Sequence, residues 1–126
     1  MKGNVLYIED NEHNLYLVSF ILETAGYRVV QATSGEEGIA RASSLTPDLI
    51  LLDIQLPGMD GYEIARRLRS NPGLQRVPIV ALTSYAMVGD REKALEAGCA
   101  GYLEKPINPD TFLTQVEAHL VREAGK

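Results

Sequence analysis

Leu49-Ile50-Leu51-Leu52-Asp53 is the stretch on which the reading of this chain turns: four aliphatic residues in a row, closed by a carboxylate. A run without alternation has no polar side to turn to water, as expected of a parallel strand covered on both faces. An ionised group buried there without a partner would be strongly unfavourable. Asp53 therefore belongs at the open mouth of a sheet. Three other runs end in polar groups too. Val5-Leu6-Tyr7-Ile8 leads to Glu9-Asp10, Ile79-Val80-Ala81-Leu82 to Thr83, and Gly101-Tyr102-Leu103-Glu104 to Lys105-Pro106.

Outward from these runs the chain alternates strand and helix patterns. Strands are predicted at 4–8, 27–32, 48–53, 77–83 and 100–104, and helices at 11–25, 35–44, 61–70, 87–97 and 109–122. Ser34 with Glu37, and Asp60 with Glu63, have the spacing of capping boxes. Asn108-Pro109 reads as an N-cap followed by the first helical residue. Gly26 and Gly98 suit left-handed helix ends. Leu15, Val18, Leu22 and Ala25 form one stripe of the first helix; Phe112, Leu113, Val116 and Leu120 form that of the last. Strict alternation predicts an α/β (βα)5 fold: a doubly wound, five-stranded parallel sheet in the flavodoxin-like order 2-1-3-4-5, three layers deep.

Composition narrows the function. The 126 residues make one domain, 1–126, which buries roughly two-thirds of its unfolded surface. A net charge of −5 argues against sequence-independent nucleic-acid binding. No apolar stretch approaches the roughly 20 residues of a membrane span. Cys99 is the only cysteine, lies among small residues and reads as a buried hydrophobe, so no internal disulfide is expected. Met1-Lys2-Gly3-Asn4 leads straight into the first strand, leaving no space for a signal peptide, and the cytoplasm is the expected compartment. No output module is expected after the last helix.

In doubly wound sheets ligands bind beyond the carboxyl ends of the strands, at the switch point. Glu9, Asp10 and Asp53 fall there. Hard oxygen ligands without histidine or thiolate select Mg²⁺, with Mn²⁺ as a close substitute. The backbone carbonyl of Gln55 is a candidate further ligand. Lys105 supplies a point charge for phosphate, and its bond to Pro106 is a candidate cis peptide. Thr83 offers a hydroxyl, with small Ser84 beside it. Taken singly, these are a loop cap, an acidic helix start, a turn residue and a solvated charge. Together they are what in-line phosphoryl transfer to an aspartate requires.

Over nearly its whole length the chain resembles the receiver domain of two-component response regulators. The resemblance rests on Ile8-Glu9-Asp10-Asn11, on Leu52-Asp53-Ile54-Gln55-Leu56-Pro57-Gly58-Met59-Asp60-Gly61, on Ala81-Leu82-Thr83-Ser84, and on Lys105-Pro106. Tyr85-Ala86-Met87-Val88-Gly89-Asp90 and Gly98-Cys99 look like stand-alone receivers of the DivK type. The resemblance implies Asp53 as phosphoacceptor, Glu9, Asp10 and Asp53 as the Mg²⁺ cluster, Thr83 as switch hydroxyl, Lys105 as phosphoryl-binding cation and Tyr102 as switch aromatic. It implies a phosphohistidine donor on a histidine kinase or phosphotransfer protein. It also implies a downstream protein target, reached through the fourth helix, fifth strand and fifth helix.

Further expectations concern partners and lifetime. Leu17, Phe20 and Ile21 form a second apolar stripe on the first helix and, with Asn14, are read as the docking surface for the donor's helical bundle. Gln55 and Tyr85 flank the acceptor and are read as tuning phosphate lifetime. The chain is expected to be a monomer, with dimerisation possible on phosphorylation, and a self-acting phosphoacceptor rather than a turnover enzyme. Three rival readings make different demands on the sequence. A haloacid-dehalogenase-type phosphatase needs an acid two residues after its aspartate, where this chain has Gln55. An FMN carrier needs a phosphate loop where Glu9-Asp10-Asn11-Glu12 would repel phosphate. An unphosphorylated scaffold, or a receiver fragment of a larger hybrid kinase or regulator, is the remaining alternative.

Overall fold

The apolar run at 49–52 becomes a central strand, with every residue of Leu49–Asp53 buried. The computed structural model describes residues 2–84 and 88–124, without the side chains of 121–124. In chain order the elements are β1 (Gly3–Ile8), α1 (Glu12–Thr24), β2 (Tyr27–Ala32), α2 (Gly35–Leu45), β3 (Leu49–Asp53), α3 (Gly61–Ser70), β4 (Ile79–Thr83), α4 (Asp90–Glu96), β5 (Gly101–Glu104) and α5 (Phe112–Ala124). The strands pair in parallel in the order β2-β1-β3-β4-β5. The predicted architecture is the one observed.

Alternation along β1 divides the core. Leu6 and Ile8 join Ile64, Ala65 and Leu68 of α3 and Ala94 of α4. Val5 and Tyr7 face the other way, onto Leu15, Val18 and Leu22 of α1 and Phe112 and Val116 of α5. These are the two faces of a pleated strand, each covered by its own helices. No helix among the described residues is long and apolar enough to cross a membrane.

Several predicted boundaries move. Strand β4 begins at Ile79 rather than 77; Pro78 has no N–H to give the ladder. Helix α4 begins at Asp90, after Gly89 at φ +91, a left-handed conformation that cannot continue a helix. Helix α5 begins at Phe112 rather than 109, because the Asn108 carbonyl accepts from both Thr111 N and Phe112 N and tightens the first turn. A 3₁₀ turn at Pro72–Leu74 was not predicted.

The caps are partly as expected. Ser34 Oγ accepts from Glu37 N, while the Glu37 carboxylate reaches back one residue further, to Thr33 N at 2.8 Å. At α3 the capping box does not close. Asp60 caps Tyr62 N, but Glu63 turns outward to Arg66 and Arg67. Gly98, at φ +102, ends α4 in a Schellman motif: Cys99 N bonds Ala94 O and Gly98 N bonds Leu95 O. Cys99 itself is buried and its thiol is pushed up to about 11, chiefly by burial.

Candidate functional site: an acidic pocket with a lysine

Register brings the strand ends to one level. Ile8 pairs with Leu52, Asp53 with Leu82, and Thr83 with Glu104. Glu9, Asp53, Thr83 and Lys105 consequently gather at one edge of the sheet. Glu9 is 1% exposed and Asp53 4%, whereas Asp10 faces solvent. Each of the three acids offers an oxygen within 4.8 Å of the others.

Lys105 bridges two of them. Its Nζ donates to Glu9 Oε1 at 2.7 Å and to Asp53 Oδ2 at 3.2 Å. The Lys105–Pro106 bond is cis, as predicted. Gln55 N–H donates to Asp53 Oδ1 at 2.9 Å, which holds the Gln55 backbone alongside the carboxylate. Asn11 N–H donates to Glu9 Oε2 at 3.3 Å.

The two buried acids are driven apart electrostatically. Asp53 is pushed up to about 6, first by burial and then by its bonding with Glu9, against the pull of Gln55 N–H and Lys105. Burial also acts to raise Glu9, but hydrogen bonds with Asp53, Lys105 and Tyr7 outweigh it and hold Glu9 below its ordinary value. A proton entering this pair as pH falls goes to Asp53 before Glu9. Three carboxylates against one ammonium leave the pocket short of positive charge.

A hard divalent cation fits this deficit. Three carboxylate oxygens within 4.8 Å of one another are a spread that one small, hard cation could draw into its shell. The donor set is all oxygen, which suits Mg²⁺ or Mn²⁺ and not a soft metal.

The remaining predicted residues are placed as follows. Thr83 is buried at the end of β4, and its carbonyl accepts from Lys105 N at 2.7 Å. Ser84 is exposed, and its N–H donates to Gln55 Oε1 at 2.7 Å. Tyr102 is half-buried against the face covered by α2, α3 and α4. Its hydroxyl is shut off from solvent without a hydrogen-bond partner among the described residues. Burial, then the charge of Asp90, raises its pKa, while the nearby Thr83 side chain acts the other way. Tyr85 lies outside the described residues.

The structure divides the predicted docking set. Asn14 is half-buried, and Leu17 and Ile21 pack partly against the core shared with α5. Phe20 stands apart, 57% exposed, stacked on Tyr16 with ring centroids 6.3 Å apart. Tyr16, itself 71% exposed, was not singled out. Tyr7 was missed as well. It is fully buried and donates its hydroxyl to Glu9 Oε1 at 2.8 Å. The signal was present, since residues two apart on a strand share a face.

With this geometry in view, the comparisons with known proteins agree. A family model for the response regulator receiver domain matches residues 5–117. The chain belongs to that family and is a receiver domain of two-component systems, with a CheY-like fold. It is 38% identical over 120 residues to the polar-differentiation response regulator DivK of Brucella ovis, covering 95% of this chain and 98% of the relative. Among solved structures, the chemotaxis protein CheY4 of Vibrio cholerae superposes with a TM-score of 0.88 at 31% identity, covering 92% of this chain and 97% of that one. The receiver domain of a sensor histidine kinase of Pseudomonas aeruginosa superposes at 0.83 with 36% identity over 98% of both chains. That structure has a magnesium ion coordinated in its active site cleft.

Proposed function

We propose that the protein accepts a phosphoryl group on Asp53 and uses the modification as a signalling switch. The observation that carries this is the buried Asp53 carboxylate at the mouth of the sheet, touched by the Lys105 ammonium at 3.2 Å and within reach of Glu9 and Asp10. An Asp53 oxygen forms a bond to phosphorus as the phosphorus–nitrogen bond of a phosphohistidine breaks, its electron pair returning to the imidazole. Later a water attacks phosphorus, the Asp53 oxygen–phosphorus bond breaks, and inorganic phosphate departs. Both steps take place on the protein's own side chain, so it is a self-acting switch rather than a turnover enzyme.

Lys105 stabilises charge on the transferring group, and Thr83 and Ser84 are the further donors to its oxygens in this reading. Glu9, Asp10, Asp53 and the Gln55 carbonyl are the residues that would hold Mg²⁺, with Mn²⁺ as substitute. When bound, the ion supplies positive charge that lets an anionic group approach an acidic pocket. The magnesium in the cleft of the Pseudomonas receiver domain supports the same ion here.

The donor is a histidine kinase or phosphotransfer protein, docked on α1 around Asn14, Leu17, Phe20 and Ile21. The modification biases an existing two-state equilibrium. Thr83 and Tyr102 are the coupled residues, and the face formed by α4, β5 and α5 meets the downstream protein. The test is incubation with acetyl phosphate and Mg²⁺, followed by intact-mass measurement. Wild-type protein gains one phosphoryl mass and Asp53→Asn gains none. A wild-type chain that stays unmodified, while a control receiver is labelled, would make this domain an unphosphorylated scaffold.

A further inference from the structure

We infer that the Gln55 side chain is a latch across the mouth of the pocket, holding the Ser84 N–H until an anionic group on Asp53 takes that donor over. The inference rests on the phosphoacceptor reading and adds what must break when the group arrives. Gln55 makes two contacts at once. Its backbone N–H is spent on Asp53 Oδ1 at 2.9 Å, and its side-chain oxygen accepts from Ser84 N–H at 2.7 Å. One residue thereby ties the loop after β3 to the loop after β4, just beyond Asp53 and Thr83.

Packing does not force this contact. Gln55 and Ser84 are both exposed, and fixing a glutamine side chain at a surface costs rotamer entropy. The bond satisfies the first backbone donor past the end of β4, one that water could otherwise take. It joins two neutral groups. A backbone N–H bound to a phosphoryl oxygen makes a charge-assisted bond, roughly twice as strong as a neutral one. A phosphoryl group on Asp53 therefore displaces the glutamine oxygen, and Ser84 changes partners. While the latch is closed, the start of the loop after Thr83 is held toward β3. Opening it frees the Ser84 N–H to follow the phosphoryl group. Gln55 is thus a positioning residue that opposes the loaded state.

The test compares wild type with Gln55→Met, which keeps the length of the side chain and removes its acceptor. Without ligand, the Ser84 amide proton resonance moves upfield in the variant, reporting the lost bond. With Mg²⁺ and beryllofluoride, the Ser84 resonances of both proteins move downfield and converge. The variant binds the phosphoryl mimic about two- to tenfold more tightly, the factor corresponding to one net hydrogen bond no longer broken. Equal Ser84 shifts in the unliganded proteins, or affinity in the variant equal to or weaker than wild type, overturn the latch. A wild-type protein that binds no beryllofluoride defeats the phosphoacceptor reading and the exchange with it. The unliganded Ser84 shift then shows separately whether the hydrogen bond itself was real. Equal urea midpoints check that Gln55→Met is folded.

Discussion

The Tyr7 hydroxyl donates to Glu9 Oε1 across 2.8 Å inside the sheet, so a residue of the apolar core is part of the wiring of the acidic pocket. Burial, and then the charge of Glu9, raises the pKa of this phenol, so it stays protonated and remains a donor at any physiological pH. Tyr7→Phe keeps the ring and removes the proton. Hydrogen bonds to charged groups contribute about 1.5–3 kcal/mol, and the urea unfolding free energy is expected to fall by about that much at unchanged m-value. Unchanged stability would show that Glu9 is held sufficiently by Lys105 and Asn11 N–H.

Lys105 is the only cation that touches both buried acids among the described residues. Lys105→Met leaves Glu9 and Asp53 facing each other without it. Removing one partner of a buried ion pair costs about 3–5 kcal/mol, and a loss at the lower end is expected in EDTA, since Asp53 relieves part of the strain by keeping its proton. Saturating Mg²⁺ should restore most of it, because the cation replaces the missing charge. Thermal melts in EDTA and in Mg²⁺ measure the difference. An equal loss in both would mean that the lysine and the metal do not share the same carboxylates.

The raised Asp53 gives a pH dependence of defined sign. An acid that holds its proton more tightly in the fold than in the unfolded chain stabilises the fold while it is protonated. That contribution is full below the ordinary value of 3.8 and is gone above about 6. Glu9 works the other way: it is lowered from 4.5, so its contribution is lost as pH falls below that value. Asp53→Asn is permanently neutral. In EDTA near neutral pH it should be more stable than wild type by about 2 kcal/mol. The advantage should narrow as pH is lowered through 6 toward 4. A stability difference that does not vary across that window would show that Asp53 titrates normally.

Phe20 and Leu17 separate docking from folding. Phe20 is exposed and Leu17 packs partly on the core. Phe20→Asp is expected to change stability by less than about 0.5 kcal/mol, as surface substitutions do, while slowing phosphoryl transfer from a cognate kinase. Leu17→Asp is expected to lower stability as well. Stopped-flow transfer rates, set beside urea curves, distinguish the two effects. Unimpaired transfer to a folded Phe20→Asp protein would remove the exposed side of α1 from the docking surface.

The elements and the strand-end chemistry were legible in the sequence because both are written locally. A run as short as Leu49–Leu52, followed by a Pro-Gly turn, reads as a strand with two covered faces, and a carboxylate that closes it belongs at the mouth of the sheet. The order of strands, the acidic trio and the place of Lys105 followed. Tertiary structure alone decided the rest. The Gln55–Ser84 bond spans 29 residues and depends on where two loops end. Periodicity placed Phe20 with Leu17 and Ile21, but the packing of α1 on β2 and beside α5 split them. A Cβ on Gly61 would lie 2.3 Å from Ile54 Cα, a close approach that in sequence looks like an ordinary turn glycine. Patterning records which side chains avoid water. Which polar group reaches which other is set by register and loop path, and those exist only once the sheet has formed.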